Sequence, residues 1–286
     1  MSPTLLSRRA VLLGAATTLF QMRAQAGEAE RIVSIGGAMT EILYRLGREA
    51  DIVGVDSTSQ YPVEALKTKK SVGYLRALGA EGILSLTPTL VITSEGAGPP
   101  DVLRILEQSG TRLITIPEEH SAEGVLRRIE RVAEIVGEKE RSADLCRTIA
   151  TEFAQLASMR GRVTKPVRAL FVLSLQNGRP LVGGRGTTAD AIIDLAGARN
   201  AAVSFNGWKP LSDEGIIAAA PDVIIMMDRG TGEAPGDPFA LPAFLQTPAA
   251  KEKRTIVMDG LYLLGFGPRT ASAARDLMKA LYPDVA

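Results

Sequence analysis

The 286-residue chain has one cysteine, Cys146, and one histidine, His120. A single thiol excludes any disulfide within the chain. A single imidazole excludes metal centres built from two or three histidines, including HExxH and His-x-His arrangements. Neither sign of charge is in excess: 33 Lys+Arg stand against 32 Asp+Glu, so no global field is available to hold nucleic acid or an anionic membrane. Catalytic signatures are also missing. There is no GxSxG nucleophile elbow. Gly183-Gly184-Arg185-Gly186 lacks both the GxGxxG spacing and the GK[ST] ending of phosphate loops, and reads instead as a glycine turn before a helix starting near Thr187-Thr188. What is present is globular composition, 45% hydrophobic and 23% charged.

The first residues read as an export signal rather than as fold. Ser7-Arg8-Arg9 precedes the apolar run Ala10 to Phe20, and Ala24-Gln25-Ala26 supplies an A-x-A cleavage site. The apolar run would span about 16 Å as a helix, against about 30 Å for a bilayer core. The paired arginines are twin-arginine-like, and the ordinary secretory route stays open. The expectation is a signal over residues 1–26, cleaved after about Ala26, and a mature protein in the periplasm. No later run is long and apolar enough to span a membrane.

After the signal, short apolar strands alternate with helical patterns. Arg31–Ile35, Asp51–Val55, Leu90–Thr93 and Arg112–Ile116 are strand-like, with a helix over Asp101 to Gln108. This alternation predicts a parallel sheet with helices on both faces. Ser121 to Met159 is different. It is proline-free and apolar at helical spacing (Val125, Ile129, Val132, Ile135), and Gly137 divides it into two helices. The second, Lys139 to Met159, would be about 30 Å long. A new strand begins at Arg168.

The chain also repeats itself. Ala80-Glu81-Gly82-Ile83-Leu84-Ser85-Leu86-Thr87-Pro88-Thr89-Leu90-Val91-Ile92 aligns without gaps on Asp213-Glu214-Gly215-Ile216-Ile217-Ala218-Ala219-Ala220-Pro221-Asp222-Val223-Ile224-Ile225. Each copy is an acid-led helical turn, a proline and a buried strand. Thr40-Glu41-Ile42-Leu43 with Gly47 is echoed by Ala189-Asp190-Ala191-Ile192-Ile193 with Gly197. The copies flank the long helix in the same order. The predicted fold is therefore α/β: two Rossmann-like lobes with central parallel sheets, residues 27–138 and 162–286, joined by one long helix over 139–161. Such a molecule places a ligand cleft between its lobes, at the C-terminal ends of the strands.

Loops after strands are expected to line that cleft. They include Gly36-Gly37-Ala38, Asp56-Ser57-Thr58, Gly73-Tyr74-Leu75-Arg76, Gly183 to Thr187, Phe205 to Trp208, Met226 to Gly230 and Phe266-Gly267. His120, in an acidic loop, is expected to be exposed, and Cys146 to be a small buried hydrophobe.

Ser71-Val72-Gly73-Tyr74-Leu75-Arg76-Ala77-Leu78-Gly79-Ala80-Glu81 resembles the haem-binding branch of periplasmic substrate-binding proteins, the delivery subunits of bacterial ABC importers. Gly183-Gly184-Arg185-Gly186-Thr187-Thr188-Ala189-Asp190 and Leu263-Leu264-Gly265-Phe266-Gly267-Pro268-Arg269-Thr270 extend the resemblance over nearly all of the chain after the signal. The resemblance implies transport of ferric haem b, with Tyr74 as axial ligand of the iron. It implies a non-enzyme that hands its ligand to an ABC permease dimer with its ATPase subunits, touching the inner membrane only through the permease. Some relatives add a histidine from the other lobe, which this chain lacks after residue 120. The chemistry agrees: ferric iron is a hard acid and phenolate a hard oxygen donor. Arg76 or Arg229 would favour the phenolate and hold propionates, with Gly183, Thr187 and Phe266 also expected at the ligand. The family further implies that Glu81 and Glu214, one acid per lobe, meet arginines of the permease. Other readings of the residues are a ferric-siderophore or cobalamin carrier of the same fold, or an α/β enzyme using the cleft.

Overall fold

The computed structural model describes residues 30–176, 179–228 and 235–284. The signal segment 1–26 and Arg229 lie outside the described residues.

The first lobe runs β1 (Ile32–Ile35), α1 (Gly37–Arg45), β2 (Ile52–Val55), α2 (Glu64–Thr68), β3 (Lys70–Ser71), β4 (Gly73–Tyr74), β5 (Ala77–Leu78), α3 (Ala80–Leu84), β6 (Leu90–Ser94), α4 (Pro100–Gln108) and β7 (Arg112–Ile116). Its main sheet has the order β3-β2-β1-β6-β7, and every pair is parallel. The central strands β1 and β6 are buried along their whole length, as a parallel sheet covered on both faces requires. β4 and β5 form a separate antiparallel hairpin.

Two helices follow, α5 (Ala122–Val136) and α6 (Lys139–Arg160). The Ser121 hydroxyl caps α5 by accepting from the Gly124 N–H at 2.9 Å, and Gly137, in the left-handed conformation, ends it. The 22 residues of α6 span about 33 Å. Its apolar stripe is Leu145, Ile149, Phe153 and Leu156, spaced by four, four and three residues.

The second lobe runs β8 (Arg168–Gln176), β9 (Arg179–Gly183), α7 (Thr188–Leu195), β10 (Arg199–Asn200), β11 (Trp208–Pro210), α8 (Asp213–Ala219), β12 (Val223–Asp228), α9 (Pro242–Leu245), β13 (Thr255–Asp259), α10 (Gly260–Leu264) and α11 (Thr270–Leu281). The sheet order is β11-β9-β8-β12-β13, with β10 also on β8. β8, β12, β13 and β10 are parallel as expected, but β9 and β11 are antiparallel additions. So short a connection between β8 and β9 can only return the chain antiparallel. The internal repeat is structural: α3 leads into β6 as α8 leads into β12.

One contiguous apolar core runs through both lobes. It joins Leu43 and Ile92 of the first to Phe171, Ile192 and Leu277 of the second through the α6 stripe. Among the described residues no helix is long and apolar enough to cross a membrane.

Candidate functional site

Tyr74 sits on the β4–β5 hairpin, where Gly73 pairs with Leu78 and Tyr74 with Ala77, leaving Leu75-Arg76 as the turn. Backbone bonds fix the hairpin to the lobe. Ser57 N–H donates to the Gly73 carbonyl (2.8 Å), Gly98 N–H to Leu75 (2.8 Å), and Leu78 N–H to Gly98 (3.0 Å). Val72 and Leu78 are buried and Leu75 packs beside them, so the hairpin is anchored on its apolar side. Tyr74 is 46% exposed, and with Arg76 it faces a cleft of about 870 Å³.

The rest of the cleft follows from the topology. Gly36–Ala38 after β1, Ser57-Thr58 after β2 and Ser94 closing β6 line it from the first lobe; Asp228 ending β12 and Asp259 ending β13 line it from the second. These are C-terminal strand ends, where open α/β sheets bind ligands. Gly36 is required by the turn into α1: its φ is 109°, and a Cβ there would lie 2.3 Å from Ser94 Oγ. Asp56, fully buried, ties this corner by accepting from Gly36 N–H (2.8 Å), Thr58 N–H (3.0 Å) and the Ser59 hydroxyl (3.0 Å). Opposite, Leu181, Trp208, Met227 and Leu261 supply apolar surface, with Trp208 set edge-on against Phe171 at 5.9 Å.

The lobes meet at an ion pair inside this cleft. Glu41 of α1 is 5% exposed, and its Oε2 accepts from Arg269 Nε at 3.0 Å. The Arg269 guanidinium lies over the Tyr61 ring at 3.6 Å, with Tyr262 at 5.1 Å. All four residues line the cleft. Burial raises the Glu41 pKa and Arg269 only partly offsets it. Tyr262 donates to Asp276 Oδ2 (2.9 Å), and burial followed by that carboxylate pushes its pKa to about 12. Near this contact Arg128 of α5, buried, donates to the Phe266 carbonyl at 2.7 Å.

The residues singled out from sequence divide into groups. Tyr74 and Arg76 share the cleft. Gly183, Thr187 and Phe266 do not form its wall; they build what carries it. A Cβ on Gly183 would lie 2.7 Å from the Ala189 Cβ, so glycine permits the close approach of β9 to α7. The Thr187 hydroxyl donates to the Gly184 carbonyl (2.8 Å) and accepts from Asp190 N–H (3.1 Å), which caps α7, and the neighbour Thr188 faces the cleft instead. Phe266 is 1% exposed and packs on His120 with ring centroids 5.3 Å apart. His120 is accordingly half-buried at the joint between lobes, not exposed, because the Phe266 ring covers it. Cys146 is half-buried, and burial raises its thiol pKa. Glu81 on α3 and Glu214 on α8 are exposed, and among the described residues neither is in an ion pair.

Glu41, Tyr61, Arg269 and Tyr262 were not singled out from sequence. Glu41 lies in the second echo of the repeat, yet its counterpart Asp190 bonds Asn200 Nδ2 (2.9 Å) and Gly186 N–H (2.9 Å) within its own lobe. Equivalent acids thus serve different ends, and only the meeting of the lobes distinguishes them.

Two α/β lobes joined by one long helix, with a mixed apolar and charged cleft at the strand ends, define a ligand-binding protein of the bilobal, helix-connected class. A family model described as periplasmic binding protein matches residues 32–261, and the chain belongs to that family. The periplasmic heme-binding protein RhuT from Roseiflexus sp. RS-1, solved in apo form, is 40% identical, with 90% of this chain and all of that one covered and a TM-score of 0.84. The periplasmic heme-binding protein BhuT, solved in complex with two hemes, is 38% identical over 90% of this chain and 99% of that one, also at 0.84. The uncharacterized ABC transporter substrate-binding lipoprotein YvrC of Bacillus subtilis (strain 168) is 26% identical over 260 residues, 90% of this chain and 81% of that protein. The chain is a binding protein of this family, not an enzyme.

Proposed function

We propose that the protein captures ferric haem b in the periplasm through a Tyr74 phenolate and delivers it to an ABC importer for iron acquisition. The observation that carries this reading is the placement of Tyr74. Its hydroxyl has no hydrogen-bond partner among the described residues, it stands on an anchored hairpin, and it faces the cleft beside Arg76. Tyr262 is committed to Asp276, and the Tyr61 ring is covered by Arg269. Iron arrives with the ligand, so the protein need supply one hard oxygen donor, flat apolar surface and cations for propionates. Among the described residues there is no cluster of three or more His, Cys, Asp or Glu side chains able to hold a bare ion. The mature protein would comprise lobes 27–138 and 162–286 about the helix, released from the signal over 1–26. Arg229, outside the described residues, is a further candidate cation.

The proposed partner is a permease dimer with its ATPase subunits. Glu81 and Glu214 would dock on it, because pseudo-equivalent exposed acids suit a symmetric partner. The residue's own N–H, followed by the Ser212 hydroxyl, holds the Glu214 carboxyl below the usual range. Exposed apolar side chains stand nearby: Ile105 on α4, which packs against α3, and Ile217 and Leu245 on the packed pair α8–α9. Apolar surface rimmed by charge is common interface anatomy.

The test is a haemin titration of the mature protein. Wild type should give a shifted Soret band and ferric high-spin features at one-to-one stoichiometry. Tyr74→Phe should lose the phenolate charge-transfer band while leaving stability within about 0.5 kcal/mol, because the side chain is exposed. His120→Ala should keep the spectrum. A wild-type spectrum in Tyr74→Phe would sink the ligand assignment. A flat haemin titration with quenching of Trp208 by a siderophore or cobalamin would redirect the function.

A further inference from the structure

Among the described residues lining the cleft, carboxylates outnumber guanidinium groups: Glu41, Glu118, Asp228 and Asp259 against Arg76 and Arg269. An anionic ligand in this space gains most where an arginine faces it. Arg76 stands on the Tyr74 hairpin. Arg269 is held quite differently. Its Nε edge is bonded to Glu41 at 3.0 Å and one face of the guanidinium lies on Tyr61 at 3.6 Å. Among the described residues nothing accepts from its two Nη nitrogens, although the side chain is only 28% exposed and borders the cleft.

We infer that Arg269 is a carboxylate-binding residue of the cleft, with its Nη edge taking a propionate of the haem and Glu41 and Tyr61 acting as its positioning partners. This rests on the haem reading above and deepens it. The geometry favours a ligand role over a tie between lobes. A two-nitrogen fork on Glu41, a common arginine–carboxylate geometry, would have used an Nη donor as well. Here one nitrogen makes the bond, and the other two have no acceptor among the described residues of a side chain that borders the cleft. The guanidinium is also immobilised before the ligand arrives, by a ring on its face and a carboxylate on its Nε edge. Little rotamer entropy then remains to be lost on binding. Glu41 offsets the charge of Arg269 without occupying its Nη donors. What the ligand gains is therefore directional hydrogen bonding more than bulk attraction. A planar anion with a carboxylate at its edge fits an apolar cleft with a guanidinium at its margin. Arg269 was visible in the sequence only as part of Leu263 to Thr270; its orientation depends on Glu41 and Tyr61, more than two hundred positions away in the chain.

The experiment compares haemin with its dimethyl ester, which keeps the iron and the macrocycle but has no carboxylates, on wild type and on Arg269→Gln. Wild type should bind haemin more tightly than the ester. In Arg269→Gln the ratio of the two affinities should fall on the order of tenfold, the loss of hydrogen bonds to a charged group, while the phenolate charge-transfer band persists with both ligands. The wild-type comparison needs no variant to fold. An unchanged ratio in Arg269→Gln overturns the inference, whether or not haemin affinity itself drops, since an equal loss for both ligands marks a residue that only shapes the cleft. Wild type that shifts the Soret band of neither ligand overturns the haem reading, and this inference with it. Wild type that binds both ligands equally, with a normal band, overturns this inference alone.

Discussion

Phe153→Ala tests whether the two lobes are one energetic unit. Phe153 lies on the buried stripe of α6 and is 8% exposed. Removing its ring leaves a cavity in the core shared by both lobes, and such truncations cost about 3–5 kcal/mol. In a domain of this size, each kcal/mol moves the melting temperature by about 2–4 °C. The variant should therefore melt about 6–20 °C below wild type. The more telling result is the shape of the transition. Leu43 and Ile92 of the first lobe and Phe171 and Leu277 of the second belong to the same apolar cluster as Phe153. A shared core predicts that differential scanning calorimetry of the ligand-free protein shows one endotherm, with calorimetric and van't Hoff enthalpies that agree, and that Phe153→Ala moves all of it. Two endotherms, of which the substitution shifts only one, would refute the argument. The α6 stripe would then be packed on a single lobe in energetic terms, and the connecting helix would be a tether.

The other predictions concern charge. Burial raises the folded-state pKa of Glu41, so the folded protein loses stability as pH rises from the unfolded carboxyl value of 4.5 through the folded one, and carries a constant penalty above both. Glu41→Gln removes that penalty while keeping an acceptor for Arg269 Nε; it should melt above wild type at pH 7, with the difference vanishing near pH 4, and a variant less stable than wild type at pH 7 would show that the pair stabilises on balance. Glu81→Lys and Glu214→Lys should leave the haemin Soret spectrum intact but lower haem uptake into vesicles carrying the permease, most of all when combined, and raised salt should weaken wild-type coupling; normal uptake by the double reversal would remove the docking assignment.

Much of the architecture was legible because it is local. Ser121, Gly137 and the apolar spacing mark α5 and α6 to within a residue or two, and the repeat leading into β6 and β12 announces two related lobes. The antiparallel strands β9 and β11 were not legible. Their direction is set by loop length and pairing partners, and a short apolar run carries no sign of which way it will lie. The loops that line the cleft from strand ends were largely identified, since strand ends fix their positions. Thr187 shows where that reasoning stops. It lies in such a loop, but its hydroxyl is consumed in capping α7, and Thr188 reaches the cleft.

Residues whose roles arise where the lobes meet were the least legible, for a physical reason. Glu41 sits in α1, and its sequence pattern is that of a helix acid, indistinguishable from Asp190 in the matching place. Burial of Glu41 comes from the second lobe arriving over it, with a Cβ position at Gly267 only 3.2 Å from that of Ala38. Arg269 follows in the same segment, and Arg128 holds the carbonyls of that segment from α5. Chain geometry alone therefore turns an ordinary helical carboxylate into a nearly buried group whose Oε1 has no hydrogen-bond partner among the described residues. Such a group costs free energy unless something repays it. Arg269 offsets that cost only in part, and the arrangement stands at the wall of the cleft. A pair kept at that cost, on the surface the ligand must touch, is better explained by the orientation it imposes on the guanidinium than by the stability it adds.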